Sequence, residues 1–225
     1  VMNMYTKFRR AFSFLELALV LVIVAIIIGL SVTAYKSQID NIEVKNTYDK
    51  IQSIKTALDA FLKANNRLPC PADGTILPGD ANYGVEVSSC PISPCPGGML
   101  CGANVVTGTV PFVTLGLSDQ FGSDPWLSRL SYAVDNIFTQ SNGNCESGGK
   151  LTVLDYNNNV ITNSAVYAVI SHGRDFAGAF TVEGGTLRAC NTANKDGENC
   201  NGDDSFRTSE IKINTAVGTD HYDDI

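Results

Sequence analysis

The chain has 225 residues and a formal net charge of −7, and 17% of its residues are charged. Lys7, Arg9 and Arg10 lie within the first eleven residues, which hold no acid, so the rest of the chain carries a formal net charge of −10. Such an acidic body excludes a nucleic-acid groove, because that kind of groove needs clustered lysine and arginine. The length fits one domain, or one domain and a membrane segment.

A long apolar run follows the basic residues 1–11. No charged residue occurs from Leu17 to Tyr35, a stretch of 19 residues. As a helix this stretch rises about 28 Å, close to the roughly 30 Å hydrocarbon core of a bilayer. The sequence therefore predicts a membrane-spanning helix over 12–35. Since the basic residues precede it, the positive-inside rule predicts a cytoplasmic N-terminus, with the bulk of the chain on the other side.

The helix is predicted to continue over 36–66, a segment that contains neither proline nor glycine. Apolar residues recur there every three or four positions, as at Ile51, Ile54 and Leu58. This spacing places them in one stripe along a helix. Pro69 follows and ends the pattern. We expect one helix of about 50 residues that is apolar all round in its first half and amphipathic in its second half.

The remaining residues, 67–225, are predicted to form a globular head. Residues 67–102 hold six of the eight prolines and four of the seven cysteines, which predicts a long loop region ordered by disulfides. All seven cysteines follow the apolar run, as expected if the head occupies an oxidising compartment. Proximity makes Cys190 and Cys200 candidates for one disulfide, and the candidates for another are Cys90, Cys95 and Cys101.

Short β-type runs separated by turn residues follow the loop region. Sequential strands without intervening helices favour an antiparallel sheet. The predicted fold class is therefore α+β, with a long N-terminal membrane-spanning helix packed on a C-terminal antiparallel sheet with disulfide-stabilised loops. The predicted strands are Val110–Leu115, Leu130–Val134, Leu151–Leu154, Val166–Ser171, Ala179–Val182 and Glu210–Ile213.

Glu16 lies at the head of the apolar run, where a carboxylate is costly. A charge in hydrocarbon costs on the order of 2.5–3.5 kcal/mol, so it normally has a partner. If the chain is cut between Ala11 and Phe12, the new α-amine of Phe12 lies in the same layer as Glu16. The amine of a neighbouring subunit would then neutralise the carboxylate, with stronger attraction at low dielectric. Glu16 is therefore a predicted assembly residue that sets the stagger of packed helices.

The segment from Ala11 to Leu17, Ala-Phe-Ser-Phe-Leu-Glu-Leu, resembles the N-terminal signature of the type IV pilin and pseudopilin superfamily. The resemblance implies that a prepilin peptidase removes residues 1–11 as a leader, cutting after Ala11, and methylates the amine of Phe12. Glu16 falls at the fifth mature position, where the family keeps its glutamate. The chain departs from the family in having alanine for the usual glycine before the cut, and in lacking a proline within the apolar run.

The resemblance implies a pilin-like fold and a structural subunit of a type IV pilus or a type II secretion pseudopilus, not an enzyme. Its implied partners are the prepilin peptidase, other pilin or pseudopilin subunits and an inner-membrane assembly platform. The implied location is the bacterial inner membrane, crossed once, with the head in the periplasm or on a cell-surface filament after assembly. No nucleic acid and no required cofactor is expected.

A second stretch carries a weaker likeness to the same family. Residues 123–126, Ser-Asp-Pro-Trp, resemble the Asp-Pro-Trp-Gly stretch of major pseudopilins, with Leu127 in place of the glycine. Tyr167–Asp175 resembles a later strand and glycine-rich turn of those proteins. This likeness favours a pseudopilin, whereas the cysteine-rich loop favours a specialised subunit such as a minor pilin.

An ordinary signal peptide is the main alternative for the N-terminal residues. Val32, Thr33 and Ala34 suit cleavage by signal peptidase after Ala34. The product would be a secreted, disulfide-rich binding or adhesive domain that does not polymerise. Against this alternative, Glu16 interrupts the apolar core near its start, and the core is long.

The acidic stretch 196–204 is a candidate calcium site, because hard cations take several oxygen ligands from a tight loop. Its candidate ligands are Asp196, Asp203 and Asp204. A solvated turn is the competing interpretation, and zinc is disfavoured because no Cys-x2-Cys pair occurs.

An enzymatic interpretation would use Ser171, His172 and Asp175. Their closeness in sequence is not evidence of a catalytic triad, because triads are defined in space. The sequence contains no nucleophile elbow, phosphate-binding loop or metal motif, so no catalytic residue is predicted.

Overall fold

The computed structural model describes residues 13–141, 148–183, 185–209, 222, 224 and 225. The chain divides into two compact units, Val1–Ile42 and Glu43–Ile225. The secondary-structure elements are the helix α1 (Phe14–Asn65) and the strands β1 (Leu100–Cys101), β2 (Val105–Thr109), β3 (Ser131–Asp135), β4 (Leu151–Leu154), β5 (Val160–Ala165), β6 (Tyr167–Ile170) and β7 (Ser205–Arg207). Three short 3-10 helices complete them, at Asp119–Phe121, Asn136–Thr139 and Lys195–Asn199.

Helix α1 ends at a residue that caps its C-terminus. Asn66 follows its last residue and adopts a left-handed backbone with φ of 51°. The amide of Asn66 donates to the carbonyl of Leu62 over 2.8 Å, which satisfies one of the last free carbonyls of the helix. Asparagine tolerates this conformation better than most residues, so it ends the helix at low cost.

None of the helices within the described residues is long and apolar enough to cross a membrane. This finding contradicts the membrane-spanning helix predicted over 12–35. The predicted single-pass location in a bacterial inner membrane depended on that helix and is contradicted with it.

The strands form two sheets rather than the single antiparallel sheet that was predicted. The first sheet has the order β1-β2-β3-β6, and all of its neighbours are antiparallel. The second has the order β5-β4-β7, and β4 runs parallel to β7, pairing Thr152 with Ser205. The predicted fold class is therefore wrong in its sheet architecture as well as in its membrane-spanning helix.

The strand predictions met mixed outcomes. Leu151–Leu154 is a strand with the predicted bounds, and the strands near 130–134 and 166–171 lie within a residue of their predicted ends. Val110–Leu115 is not a strand, because its residues bond back on themselves, with the amide of Leu115 donating to the carbonyl of Pro111. The predicted strand Ala179–Val182 contributes only isolated bridges, and Glu210–Ile213 lies outside the described residues.

The main core of the second unit lies between the distal part of α1 and the first sheet. Ile54 and Leu58 of the helix are completely buried and pack with apolar residues that come from the sheet and its flanks. Burying an aliphatic side chain of this size contributes about 1.5–3 kcal/mol. The other members of this cluster are Leu68, Val110, Phe112, Leu130, Tyr132, Val134 and Phe138.

Arg129 organises the loops beside this core. Its side chain is only 2% exposed, and its guanidinium donates to the carbonyls of Gly74, Ile76 and Val182 at 2.9, 2.8 and 3.2 Å. The guanidinium carbon also lies 4.8 Å from the ring centre of Tyr83. One buried cation therefore joins loops that are far apart in the sequence, and it does so through backbone acceptors.

Candidate functional site

The N-terminal end of α1 carries the first candidate site. The amide of Ser13 donates to the Glu16 carboxylate over 3.4 Å, and the amide of Leu15 donates to the Ser13 hydroxyl over 3.3 Å. Ser-x-x-Glu at a helix start is a capping box, in which both side chains bind free backbone amides. Glu16 therefore has a local role within one chain. The predicted processing residues Ala11 and Phe12 lie outside the described residues.

The first turns of α1 expose their apolar side chains. Twelve large apolar residues between Phe14 and Ile28 are each at least 43% exposed. Monomeric soluble proteins rarely expose a contiguous apolar surface of more than a few hundred Å², and larger ones mark interaction sites. We call this set the apolar face; its members are Phe14, Leu15, Leu17, Leu19, Val20, Leu21, Val22, Ile23, Val24, Ile26, Ile27 and Ile28.

A tight loop in the second unit carries the Asp-Pro-Trp residues. The amide of Asp124 donates to the carbonyl of Ser128 at 2.9 Å, and the amide of Ser128 returns to the Asp124 carboxylate at 2.9 Å. Between them, Pro125 and Trp126 occupy the centre of a turn closed by the amide of Leu127 on the Asp124 carbonyl at 3.3 Å. Aspartate first and proline second are the favoured residues of such a turn.

Leu127 takes the position after the turn with φ of 65°, and its side chain is 72% exposed. Glycine or asparagine is the usual residue in this left-handed conformation. A leucine there costs on the order of 1–2 kcal/mol, because its Cβ approaches the following carbonyl oxygen. The loop therefore holds a large apolar side chain in solvent at an energetic cost.

Trp126 connects this loop to helix α1. Its indole Nε1 donates to the Glu43 carboxylate over 2.9 Å, and Nη2 of Arg174 lies 3.8 Å from the same oxygen. Nearby, Nζ of Lys50 donates to the carbonyl of Ser123 at 2.8 Å. The contacts of Trp126 and Ser123 thus hold the loop on one side of the helix.

Asp124 is a buried carboxyl within the same loop. Burial raises its pKa, although it accepts hydrogen bonds from the Ser128 amide and, at 2.8 Å, from the Ser171 hydroxyl. Burial also lowers the pKa of Lys50, and the nearby Asp124 carboxylate partly opposes this lowering. Both pKa shifts follow from the withdrawal of Asp124 and Lys50 from water, and the hydrogen bonds hold the two side chains in place.

Two of the three predicted calcium ligands, Asp203 and Asp204, accept hydrogen bonds from nitrogen donors. Asp204 accepts from the amides of Asn104 and Val105, both at 3.1 Å, and from the Asn104 side chain at 2.7 Å. Asp203 accepts from the Ser205 amide at 2.7 Å, while Asp196 is fully buried. Within the described part of the chain, no group of three or more acidic, histidine or cysteine side chains could hold a metal ion. Calcium binding stays a prediction.

Six cysteines form three disulfides. Cys190 is bonded to Cys200, as proximity suggested, and Cys95 is bonded to Cys101. The sequence argument placed Cys90 with these last two residues, but its partner is Cys70, twenty positions earlier. Cys145 lies outside the described residues. The disulfides tie down the loops on either side of the sheets.

A serine, a histidine and an aspartate do meet inside the second unit. Nε2 of His172 lies 2.9 Å from the Ser131 hydroxyl, and Nδ1 lies 3.9 Å from the Asp224 carboxylate. All three residues are at least 95% buried, and burial lowers the pKa of His172 to about 4. Ser171 instead donates to Asp124. The cluster is a buried polar contact between β3, the residues that follow β6 and the C-terminal residues.

A polar cleft of about 610 Å³ lies beside the Cys70–Cys90 disulfide. Arg67 and Glu86 line it and neutralise each other through two hydrogen bonds of 2.8 Å. Most of its remaining wall is neutral hydroxyl and amide groups, from Ser88, Ser89, Ser93, Asn136, Thr139 and Gln140. The cleft therefore offers mainly hydrogen-bonding groups.

Sequence reasoning missed several of these contacts. The capping box could have been predicted from the sequence, because Ser13 and Glu16 have the required spacing. The pairs Trp126–Glu43 and Ser131–His172 are separated by 83 and 41 positions, and no local pattern indicates them.

Known proteins were compared with the chain for a family assignment. No protein-family model, no curated protein and no solved structure matches the chain, so these comparisons assign it to no family.

Proposed function

We propose that this chain is a structural subunit of a pilus-like or pseudopilus-like filament, assembled through the apolar face of α1. The proposal rests on the exposure of that face, because twelve large apolar side chains in consecutive turns are each at least 43% exposed. The same helix buries Ile54 and Leu58 in its distal part, so the exposure of large apolar side chains is confined to part of the helix. Helices of other copies would cover the face.

The energy available from this packing is large. Burying one leucine, isoleucine or valine side chain contributes about 1.5–3 kcal/mol. Twelve such residues would contribute on the order of tens of kcal/mol before the cost of ordering subunits, estimated at roughly 4–15 kcal/mol, is subtracted. Packing of the apolar face can therefore hold a filament together without large contacts between heads.

Glu16 gives the proposed assembly its specificity. It is the single charged residue among the side chains of residues 13–29. Cleavage after Ala11 would leave a new amine on Phe12, and this amine in one subunit would pair with Glu16 of its neighbour. The resemblance of residues 11–17 to the pilin and pseudopilin signature supports this proposal, and so does the placement of Glu16 at the helix start.

A secreted, non-polymerising domain is the second candidate. The three disulfides favour it, because small exported domains commonly depend on such cross-links. Cleavage after Ala34 would remove the apolar face altogether. The two candidates therefore differ in one measurable property, which is the mature N-terminus.

Mass spectrometry of the protein from its native cells tests the choice directly. We expect a mature chain that starts at N-methylated Phe12. A chain that starts at Tyr35 would refute filament assembly through α1 and leave the secreted domain. This measurement is independent of stability, because it reads only the covalent structure.

The role of Glu16 requires a variant with a matched control. Glu16→Gln removes the charge and keeps the size, and we expect it to reduce incorporation into filaments at least tenfold. Ser13→Ala weakens the same capping box but keeps the carboxylate, and we expect near-normal incorporation. Glutamine at position 16 can still close the capping box, so normal incorporation of Glu16→Gln would show that the pairing with Phe12 is wrong.

A further inference from the structure

We propose that the polar cleft beside the Cys70–Cys90 disulfide binds a neutral carbohydrate. The cleft has a volume of about 610 Å³. This volume lies within the range of roughly 300–1,000 Å³ that is typical of small-molecule sites in proteins. The residues that line the cleft all belong to the second unit. The proposal is therefore independent of assembly through α1, because the head carries the cleft in a filament subunit and in a secreted domain alike.

The charges of the cleft cancel each other. Arg67 and Glu86 are the two charged residues among the described residues that line it, and two hydrogen bonds of 2.8 Å join their side chains. The Glu86 carboxylate also accepts from the amide of Cys70 at 2.9 Å, and the Arg67 guanidinium also donates to the carbonyl of Leu68 at 3.0 Å. A charged ligand that recruits one partner would leave the other partly buried and unpaired, which is costly. The pair therefore favours a ligand without charge.

Hydroxyl and amide side chains form most of the remaining wall. Ser88, Ser89 and Gln140 are exposed, whereas Asn136 and Thr139 are half-buried. A hydroxyl both donates and accepts, and a carboxamide presents donors and an acceptor side by side. This wall matches a ligand whose own groups also donate and accept, as the hydroxyls of a sugar do. A hydrocarbon ligand would leave the wall without hydrogen-bond partners, which is unfavourable.

Apolar side chains line the same cleft. Val87 and Ile92 are half-buried, and Pro91 is exposed. A sugar ring carries hydroxyls around its edge and C–H groups on its faces, so it can use the polar and the apolar parts of the wall together. The C–H groups gain affinity from the apolar area that they bury. Together with the neutral charge, this mixture favours an uncharged oligosaccharide.

The walls of the cleft are fixed before a ligand arrives. The disulfide joins the loop that carries Ser88 to the segment that follows α1. In addition, the amide of Val87 donates to the carbonyl of Pro71 at 3.2 Å, and the amide of Leu68 donates to the carbonyl of Phe138 at 2.8 Å. Because these bonds already order the wall, less entropy is lost when a ligand binds.

An array of immobilised oligosaccharides tests the proposal. The full-length chain, in a detergent without a sugar headgroup, is applied to neutral oligosaccharides and to oligosaccharides that contain uronic or sialic acids. We expect binding to neutral members, and titration calorimetry with one of them should show a one-to-one complex. The proposal is overturned if no neutral member binds or if only acidic members bind.

Variants of exposed wall residues locate the binding site. We expect Gln140→Ala to weaken the binding of the neutral oligosaccharide about tenfold, because one side-chain amide is lost. The double variant Ser89→Ala with Gln140→Ala should weaken it further. Gln120→Ala is the matched control, since Gln120 is also exposed but is not among the residues that line this cleft, and its affinity should be unchanged. Wild-type affinity in the double variant would refute the cleft as the site.

The neutral pair is tested by Glu86→Gln, whose side-chain carbonyl can still accept from the amide of Cys70. Because Arg67 then lacks its carboxylate partner, we expect the preference to shift towards oligosaccharides that carry a carboxylate. The double variant Arg67→Gln with Glu86→Gln keeps the cleft neutral and should keep the neutral preference. Urea unfolding checks that both variants are folded, and an unchanged preference in folded Glu86→Gln would contradict selection by the pair.

Discussion

Large apolar side chains are exposed in one stretch of helix α1 and buried in another. Between Phe14 and Ile28 every large apolar side chain is at least 43% exposed, whereas Ile54 and Leu58 are completely buried. The second set forms part of the core of the head, whereas the first set belongs to none of the core clusters formed by the described residues. Hydrophobicity alone therefore does not predict which residues stabilise the fold, because the presence of a covering layer decides it.

The largest expected effect compares one leucine from each stretch. Leu58→Ala should lower the free energy of unfolding by roughly 2–5 kcal/mol, because it leaves a cavity in a packed core. Leu21→Ala, at a position that is 61% exposed, should leave it unchanged within about 0.5 kcal/mol. Urea unfolding followed by the fluorescence of Trp126, the single tryptophan, measures both. Equal losses of stability at the two positions would contradict the difference between the exposed and the buried stretch.

Acid pH should weaken the head through His172. Burial lowers its pKa to about 4 in the folded chain from an ordinary value of about 6.5, so the unfolded chain binds the extra proton first. Stability should fall by up to about 3 kcal/mol as the pH drops from about 6.5 to about 4, with no further loss from this group below that. The difference between wild type and His172→Gln isolates the effect, and a pH-independent difference would contradict it.

Removing the Cys190–Cys200 disulfide should cost about 2–3 kcal/mol, because the bond restricts the unfolded chain over a ten-residue separation. The double variant Cys190→Ser with Cys200→Ser should show a correspondingly lower urea midpoint. Removing Cys95–Cys101, which closes only six residues, should cost slightly less. A larger loss from the shorter loop would indicate that native packing, not chain entropy, sets the effect.

The smallest effect concerns the contact between the loop and the helix. Trp126→Phe keeps most of the aromatic surface and removes the hydrogen bond to Glu43, so we expect a loss of about 1 kcal/mol. Combined with Glu43→Leu, which removes the acceptor, the two losses should not add, because both variants remove the same bond. Calorimetric melting of the single and double variants measures this coupling, and full additivity would exclude it.

Local patterns in the sequence predicted the parts of the fold that depend on local residues. The stripe containing Ile54 and Leu58 correctly identified the buried side of the distal helix. The bounds of Leu151–Leu154 were also correct, since its apolar residues are flanked by glycine and asparagine turns. Here the burial pattern and the secondary structure have the same period.

The errors arose where tertiary contacts override local preference. Val105–Thr109 is a central strand despite Gly108, whose missing side chain leaves room for the carbonyl of Ala72, only 2.7 Å from where a Cβ would lie. The parallel pairing of Thr152 with Ser205 joins residues more than fifty positions apart. Neither feature leaves a periodic trace in the sequence.

The candidate sites divide in the same way. Glu16 was identified from its position in an apolar run, although its capping bond to Ser13 was not. Leu127 was recognised only as a replacement of a glycine, and its backbone angle and exposure required the structure. A sequence pattern can place a residue in a turn, but exposure depends on everything that packs around the turn.

The way in which Arg129 is bound affects which substitutions the chain can tolerate. Its guanidinium is bound by the carbonyls of Gly74, Ile76 and Val182, and a carbonyl is supplied by any residue that occupies those positions. The donor has no such freedom, because lysine cannot direct several N–H groups in the same plane. In related chains we expect positions 76 and 182 to tolerate substitutions that keep the backbone path, while position 129 admits almost none. Position 74 is restricted to glycine, because a Cβ there would lie 2.5 Å from the buried ring of Phe180. The loops joined by this one side chain are therefore free to diversify in surface chemistry without losing their attachment.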